Sequence, residues 1–387
     1  MSLNHSPAVV TDGLQFYYDA ANNKNVTTGS NLLTSTDLSN LTYWGSSAGM
    51  TVTANAAVAP DGTMTAYSLA LTGVVSVWAT PLTTATIGTG QQFSSIYAKA
   101  ATGTNYFTFN SYYPGDTEVN IDFTLTGNGT TSAPTQSMIK YVGNGWYLCT
   151  IFTPARVNAG TTFVYRIWPA GRAITTGSTY FWGPTLKNSF TDLVGNNTLT
   201  PVNNLSYSAT NSGSMVFNGT SSYFSVPSST GLNPTTKITM ESWVKFATIG
   251  TRIIWLGKGD GVSNPTTQYW LEKTVADKIM IYLSFGASAP NVTLSNTTIT
   301  TGVWYHIVAT YDGATIKGYV NGVIDPTTYS FVGTLNTTST ILSIGRLGTY
   351  NGFYMNGNLP ITKFYNRALS AAEVSQNFNA LRGRFGI

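Results

Sequence analysis

The sequence predicts an all-β protein of β-sandwich architecture that closes on one short C-terminal helix, and three observations predict it. Short runs of alternating apolar and polar residues, separated by clusters of Gly, Asn, Thr and Pro, fill nearly the whole length. Tight-turn dipeptides, Asp312-Gly313 and Asn321-Gly322, stand between such runs and supply the positive φ that short hairpins need. Helical patterning is confined to the end, from Ser370 to about Leu381. In chain order, the strands are carried by QFYYDA (15–20), QQFSSIYAKA (91–100), NYFTFNSYY (105–113), KITMESWVKF (237–246), KIMIYLSF (278–285) and WYHIVATY (304–311). In the last of these, a period of two sets Ile307, Ala309 and Tyr311 on one face and His306, Val308 and Thr310 on the other. The helix opens with Ser370 as N-cap and Glu373 three residues on, the capping box in which each satisfies one orphan backbone donor.

Composition narrows the function classes. A chain of 387 residues has room for two domains of ordinary size, each with its own core. Charged residues make up 9%, against roughly 25% in typical soluble domains, so neutral hydroxyl and amide groups must cover the surface. Low charge removes one defence against edge-to-edge strand pairing, which points to a homo-oligomer or a place in a larger assembly. The net charge of +4 is spread thinly and no basic run occurs, which argues against nucleic acid as a partner. Cys149 is the one cysteine, so no intrachain disulfide framework exists, and within WYLCTIF (146–152) it reads as a small core hydrophobe. The opening MSLNHSPAVV has neither a charged nor an apolar signal region, and no run of about 18 apolar residues is present for a membrane helix. A secreted-looking surface without a signal or disulfides fits a viral structural protein released by lysis.

Two sets of motifs carry a family resemblance. The run IVATYDGATIKGYVNG (307–322) followed by GNLPITKFYNRALSAAEVSQNF (357–378) resembles the closing strands and terminal helix of the laminin-G-like, concanavalin A-type sandwich. VTDGLQFYYDAANNKN (10–25) resembles the opening strand of the same module in phage and environmental viral proteins, but its usual continuation appears only at residues 191–227. The intervening stretch resembles the carbohydrate-binding-module-like jelly rolls of phage tail and capsid proteins, through APDGT (59–63), SIYAKA (95–100), GNGWYLC (143–149) and YFWGPTL (180–186). The resemblance therefore implies two jelly-roll β-sandwiches, one inserted into the other. The outer one comprises residues 1–29 and 188–387, and the inserted one residues 30–187. Insertion at exposed, neighbouring points of a sheet costs little. The resemblance also implies that Trp146 and Trp182 are framework core positions.

Few residues could carry chemistry. A glycosidase needs two carboxyl groups about 5 to 9 Å apart across a sugar. The comparable run is DTEVNID, whose alternation gathers Asp116, Glu118, Asn120 and Asp122 on one face and Thr117, Val119 and Ile121 on the other. That face is a cation or sugar-hydroxyl site, an acid/base pair, or a solvated strand surface. His5 and His306 are the two histidines and no G-x-S-x-G elbow occurs, so neither a Ser-His-Asp triad nor a zinc site is expected. No cofactor is expected; a structural calcium ion stays open, with Asp61, Asp260 and Asp312 as loop acids that equally suit turns. Sugars stack on aromatic faces while amides and carboxylates take their hydroxyls. Trp78, Tyr106, Tyr112, Tyr113, Asp116 and Glu118 are the candidate ligand-binding residues, with Asn110 and Trp168 nearby, and core or subunit packing is the alternative for each aromatic. The sequon Asn291-Val292-Thr293 is expected to be incidental.

The expectation is a non-enzymatic bacteriophage virion protein displayed on the particle surface, as a capsid decoration or tail-fibre component with glycan-binding capacity. Its expected partners are other virion proteins, copies of itself, and cell-surface or environmental glycans, without nucleic acid or membrane insertion. A purely architectural subunit, and a polysaccharide-degrading hydrolase or secreted lectin, are the alternatives.

Overall fold

A computed structural model describes residues 8–22, 31–33, 35–40, 43–46, 49–72, 79–81, 90–112, 118, 120–155, 163–173, 176–194, 197–261, 266–294 and 296–387. It is nearly all β, built of antiparallel sheets, and divides into two compact units. Unit 1 comprises Met1–Asn25, Phe190–Leu205 and Ala209–Ile387; unit 2 comprises Val26–Ser189 with Ser206–Ser208.

Unit 2 is a sandwich of two six-stranded sheets. One runs in the order Ser137–Gly143, Trp146–Phe152, Phe93–Ala100, Thr176–Lys187, Ala66–Thr72, Met50–Ala57. The other runs Trp44–Ser46, Ala79–Pro81, Val164–Trp168, Tyr106–Tyr112, Asn120–Thr124, Thr130–Thr131. Alternation decides the core: Ile96, Cys149, Ile151 and Phe181 of the first sheet meet Phe107, Phe109, Ile121, Phe123, Tyr165 and Ile167 of the second. Each Ile and Phe among these is worth about 1.5–3 kcal/mol of apolar burial. Burial pushes the Cys149 thiol well above its ordinary pKa, so it is an inert core residue. Trp146 is buried, with its indole N–H donating to the Val58 carbonyl at 3.0 Å. Trp182 departs from the core expectation: it is half-buried, leans on Tyr97, and donates to the Thr65 hydroxyl at 3.0 Å.

Unit 1 is also a sandwich. Its first sheet includes, in order, Ser214–Asn218, Asn356–Tyr365, Ile238–Phe246, Trp304–Tyr311, Thr315–Val320 and Val323–Ser330, with Leu14–Asp19 also paired to Asn356–Tyr365. Its second sheet runs Phe190–Thr191, Thr198–Val202, Tyr223–Val226, Leu342–Ile344, Ile253–Lys258, Tyr269–Lys273, Ile279–Leu283, Asn291–Thr293. Aromatic rings interdigitate between the sheets, Tyr18 and Phe217 against Phe224, Phe246 against Trp255, and Phe364 against Tyr269.

The hairpin turns divide the labour differently than expected. Asn321 (φ 52°) and Gly322 (φ 78°) both take positive φ, the two-residue hairpin geometry. At Asp312-Gly313 only Gly313 does (φ 101°). Asp312 instead acts as an acceptor, its Oδ1 taking the N–H groups of Ala314 and Thr315 at 2.9 and 2.8 Å.

Helix α1 (Ala371–Phe385) has the expected capping box, Ser370 with Glu373. It continues past Leu381, because its last turn packs rather than frays. The Phe385 ring stacks 4.2 Å from Trp243, and Arg384 pairs with Asp19 at 2.7 Å. Gly386, in the left-handed region at φ 72°, then ends it. The apolar face of α1 covers the outward face of the first sheet at Trp243, Trp304 and Ile361.

Candidate functional site

In unit 2 the strand Tyr106–Tyr112 lies between Val164–Trp168 and Asn120–Thr124. Phe107 and Phe109 turn into the sandwich, so Tyr106, Thr108, Asn110 and Tyr112 stand on the opposite face. Register then aligns cross-strand rows on that face: Trp168, Thr108 and Asp122; Arg166, Asn110 and Asn120; Val164 beside Tyr112. Thr108 and Asn110 are fully buried and form the floor, while Tyr106, Tyr112 and Arg166 are half-buried and Glu118 is exposed.

The floor is a polar network. The Asn110 amide donates to Glu118 Oε1 and to Asn120 Oδ1, both at 2.8 Å, and the Thr108 hydroxyl donates to Asp122 Oδ1 at 2.5 Å. Arg166 Nη1 lies 3.6 Å from Glu118 Oε1, and its guanidinium sits 5.8 Å from the centre of the Tyr112 ring. At the other end the Arg172 guanidinium lies 5.7 Å from the Trp168 ring. Gly171, at φ 79°, is required where it stands, because a Cβ there would overlap the Tyr106 ring. Asn110 Oδ1 is buried and has no partner among the described residues. A carboxylate and a guanidinium between aromatic rings match the alternating hydroxyl and C–H surfaces of a pyranose.

Tyr106, Tyr112 and Glu118 are thus brought to one face, together with Asn110, Asn120, Asp122 and Trp168. Trp78, Tyr113 and Asp116 lie outside the described residues. Arg166 escapes sequence reading, although its place two residues before Trp168 in VYRIW puts both on one face. The loop acids serve their turns: Asp61 Oδ1 takes the Thr63 N–H at 2.9 Å, and Asp260 takes the hydroxyls of Thr266 and Thr267. Among the described residues no three His, Cys, Asp or Glu side chains converge as a metal site.

His306 belongs to a second polar cluster, in unit 1, which the sequence does not announce. Glu241 Oε1 lies 2.6 Å from Lys363 Nζ and 3.1 Å from His306 Nε2, all three being fully buried. The Asn377 amide, from α1, donates to Glu241 Oε2 at 2.7 Å and to the Tyr365 hydroxyl at 3.0 Å, and its Oδ1 accepts from the Val10 N–H at 2.7 Å. Burial resists ionisation of Glu241, but Lys363 and His306 together hold its pKa down at about 2. Burial likewise lowers the pKa of His306, against the pull of Glu241, so the imidazole is kept neutral. Sealed beneath α1, this cluster fastens the helix rather than facing a ligand.

Residues 218–375 match the concanavalin A-like lectin/glucanases superfamily. The matched lectin/glucanase stretch lies wholly within unit 1. No curated protein matches the chain. Among solved structures, the binding domain of Paraclostridial Mosquitocidal Protein 1 is similar at 16% identity over 50% of each chain, with a TM-score of 0.41. Domain 4 of AbnA, an extracellular arabinanase from Geobacillus stearothermophilus solved with arabinotriose, is similar at 20% identity over 48% of this chain and 91% of that one, with a TM-score of 0.39. A botulinum neurotoxin type C structure, whose report concerns two ganglioside molecules, is similar at 12% identity over 50% and 49%, with a TM-score of 0.41. The chain spans about half the length of the toxin structures it matches.

Proposed function

We propose that the protein is a non-enzymatic glycan-binding structural protein, exposed on the surface of a virion as a capsid decoration or tail-fibre component. The observation that carries the glycan reading is the cross-strand row Arg166, Asn110 and Asn120 with Glu118, flanked by Tyr106, Tyr112 and Trp168. Hydroxyls of a neutral sugar would donate to Glu118 and accept from Arg166, with a C–H face on Tyr112. Glu118 is engaged by Asn110 and Arg166, which suits an acceptor of hydroxyl groups better than a proton-donating catalyst. One shallow site binds weakly, and repeated copies in a homo-oligomer or on a particle would raise avidity about 10² to 10⁴-fold. The low surface charge and neutral hydroxyl-rich exterior support packing among other virion proteins.

The test is binding of the intact protein to an array of neutral oligosaccharides, with Tyr112→Ala and Glu118→Gln beside it. Affinity for the best sugar should fall at least tenfold in each variant while thermal unfolding stays put. Equal binding by all three proteins overturns the site, and release of reducing ends by the parent overturns the non-enzymatic reading. Immunogold labelling of intact particles tests the virion surface; unlabelled particles remove it.

A further inference from the structure

The buried cluster of unit 1 gathers an amine, a carboxamide and a carboxyl group out of reach of water. Lys363 on strand 356–365, Asn377 on α1 and Glu241 on strand 238–246 are each 0% exposed. Glu241 bridges the other two through its separate oxygens. Oε1 lies 2.6 Å from Lys363 Nζ, and Oε2 accepts the Asn377 amide at 2.7 Å. The Asn377 carbonyl is engaged as well, its Oδ1 taking the Val10 N–H at 2.7 Å, while its amide nitrogen also donates to the Tyr365 hydroxyl at 3.0 Å. The Tyr17 ring stands 5.3 Å from Lys363 Nζ.

This is a costly way to fix a helix. Apolar side chains of similar volume would hold α1 as well or better, because a buried ion pair seldom offsets its own desolvation. Asn is also a weak helix former, and Asn377 is one of the few buried residues of α1. What the trio supplies, and apolar side chains do not, is a nucleophile, an acyl group and a proton carrier held on one carboxyl group.

We propose that Lys363 and Asn377 join in a self-catalysed isopeptide bond, with Glu241 carrying the protons. Lys363 passes one proton to Glu241, which exchanges a buried ion pair for two neutral groups and frees the lone pair of Nζ. Nζ attacks Asn377 Cγ, and the Val10 N–H stabilises the negative charge that grows on Oδ1. The Glu241 carboxyl group delivers its proton to Nδ2, to which it is already hydrogen-bonded, and takes a second proton from Nζ as the Cγ–Nδ2 bond breaks. The released ammonia accepts that second proton and leaves as ammonium. One amide bond replaces another, Glu241 is returned as a carboxylate, and no oxidant or cofactor enters. Fixed placement of the groups lowers the entropic part of the barrier, and the sealed surroundings shut out water as the competing nucleophile. The bond ties α1 to strand 356–365 and makes the cover of the first sheet permanent.

The inference stands apart from the glycan reading and is tested without a sugar. Intact-mass spectrometry of the full chain, shown to be folded by circular dichroism, should find the loss of one ammonia per molecule. After trypsin, residues 347–367 and 368–382 should travel as one branched peptide, uncut at Lys363. Glu241→Gln and Lys363→Met should keep the ammonia and give separate peptides. Asn377→Asp preserves the shape and offers a carboxyl group as the acyl donor, so it should form the same bond with loss of one water; this guards against misfolding as the explanation. Parent protein at full mass overturns the bond. So does ammonia lost without a branched peptide, the result that a succinimide at an Asn-Gly step would give. A branched peptide of equal yield in Glu241→Gln overturns the role of Glu241.

Discussion

On the outward face of strands 106–112, 120–124 and 164–168, Glu118 and Arg166 face each other with side chains 39% and 26% exposed. On the outward face of strands 238–246, 304–311 and 356–365, Glu241, His306 and Lys363 are equally polar and wholly buried. The two sheets obey the same alternation; what differs is the cover. Apolar neighbours Trp243, Trp304 and Ile361 share the second face with its charges and bind α1, which excludes water from them. The first face mixes its polar floor with rings at its margins, and Glu118 and Arg166 above that floor stay partly exposed. A polar residue on a sandwich's outer face is thus a recognition group or a buried fastener according to what its lateral neighbours attract.

The largest test of that contrast is a matched pair of isosteric changes. Glu241→Gln leaves Lys363 buried without its counter-ion and should cost about 3–5 kcal/mol. Glu118→Gln at the open face should cost no more than about 1 kcal/mol. Urea unfolding followed by tryptophan fluorescence measures both, and equal losses would break the distinction between covered and open faces.

Acid separates the two faces next. The Glu241 pKa is held at about 2 in the folded state against an ordinary 4.5, so its contribution is complete above about 4.5 and is lost as pH falls toward 2. His306, kept neutral by burial, works in the same direction: its contribution is present above its ordinary 6.5 and declines as protons compete below that. Stability should therefore fall progressively from about pH 6.5 downward, and the fall below pH 4.5 should be shallower in Glu241→Gln. An acid limb of the same steepness in the variant would mean that other carboxyl groups set it.

Much of the fold was legible because period-two runs such as WYHIVATY and NYFTFNSYY have few other ways to bury their apolar residues. The rest was hidden by physics that acts across distant segments. Nothing local in MESWVKF or ITKFYN reveals that Glu241 and Lys363 are register partners, separated by more than a hundred residues and brought together by strand pairing. The end of the helix was hidden for a related reason: RGRF reads as a polar tail until Phe385 finds Trp243. The candidate site fell between these cases. The sequence offers Tyr106 and Tyr112 with Asn110 nearby as candidates, but Arg166 reaches Asn110 only through the neighbouring strand.

The smallest effect concerns the cover itself. Ser370 Oγ accepts the Glu373 N–H at 3.3 Å, the weaker half of the capping box, while Glu373 Oε2 accepts the Ser370 N–H at 2.8 Å. Arg367 further grips Glu373 at 2.7 and 3.0 Å, a pair that holds the Glu373 carboxyl down at about 2. Ser370→Ala removes the hydroxyl and leaves the stronger bonds, so its cost should sit near the low end of the range for lost caps, about 0.5–1 kcal/mol. Ser370→Asp should recover it. Because α1 is what seals the buried cluster, the local signature should exceed the global one. Amide exchange at residues 374–377 should quicken in Ser370→Ala, while that of strand 120–124 is unchanged. Quickening at both would mean that the cap supports the whole fold, and that the cover on Glu241 is no independent element.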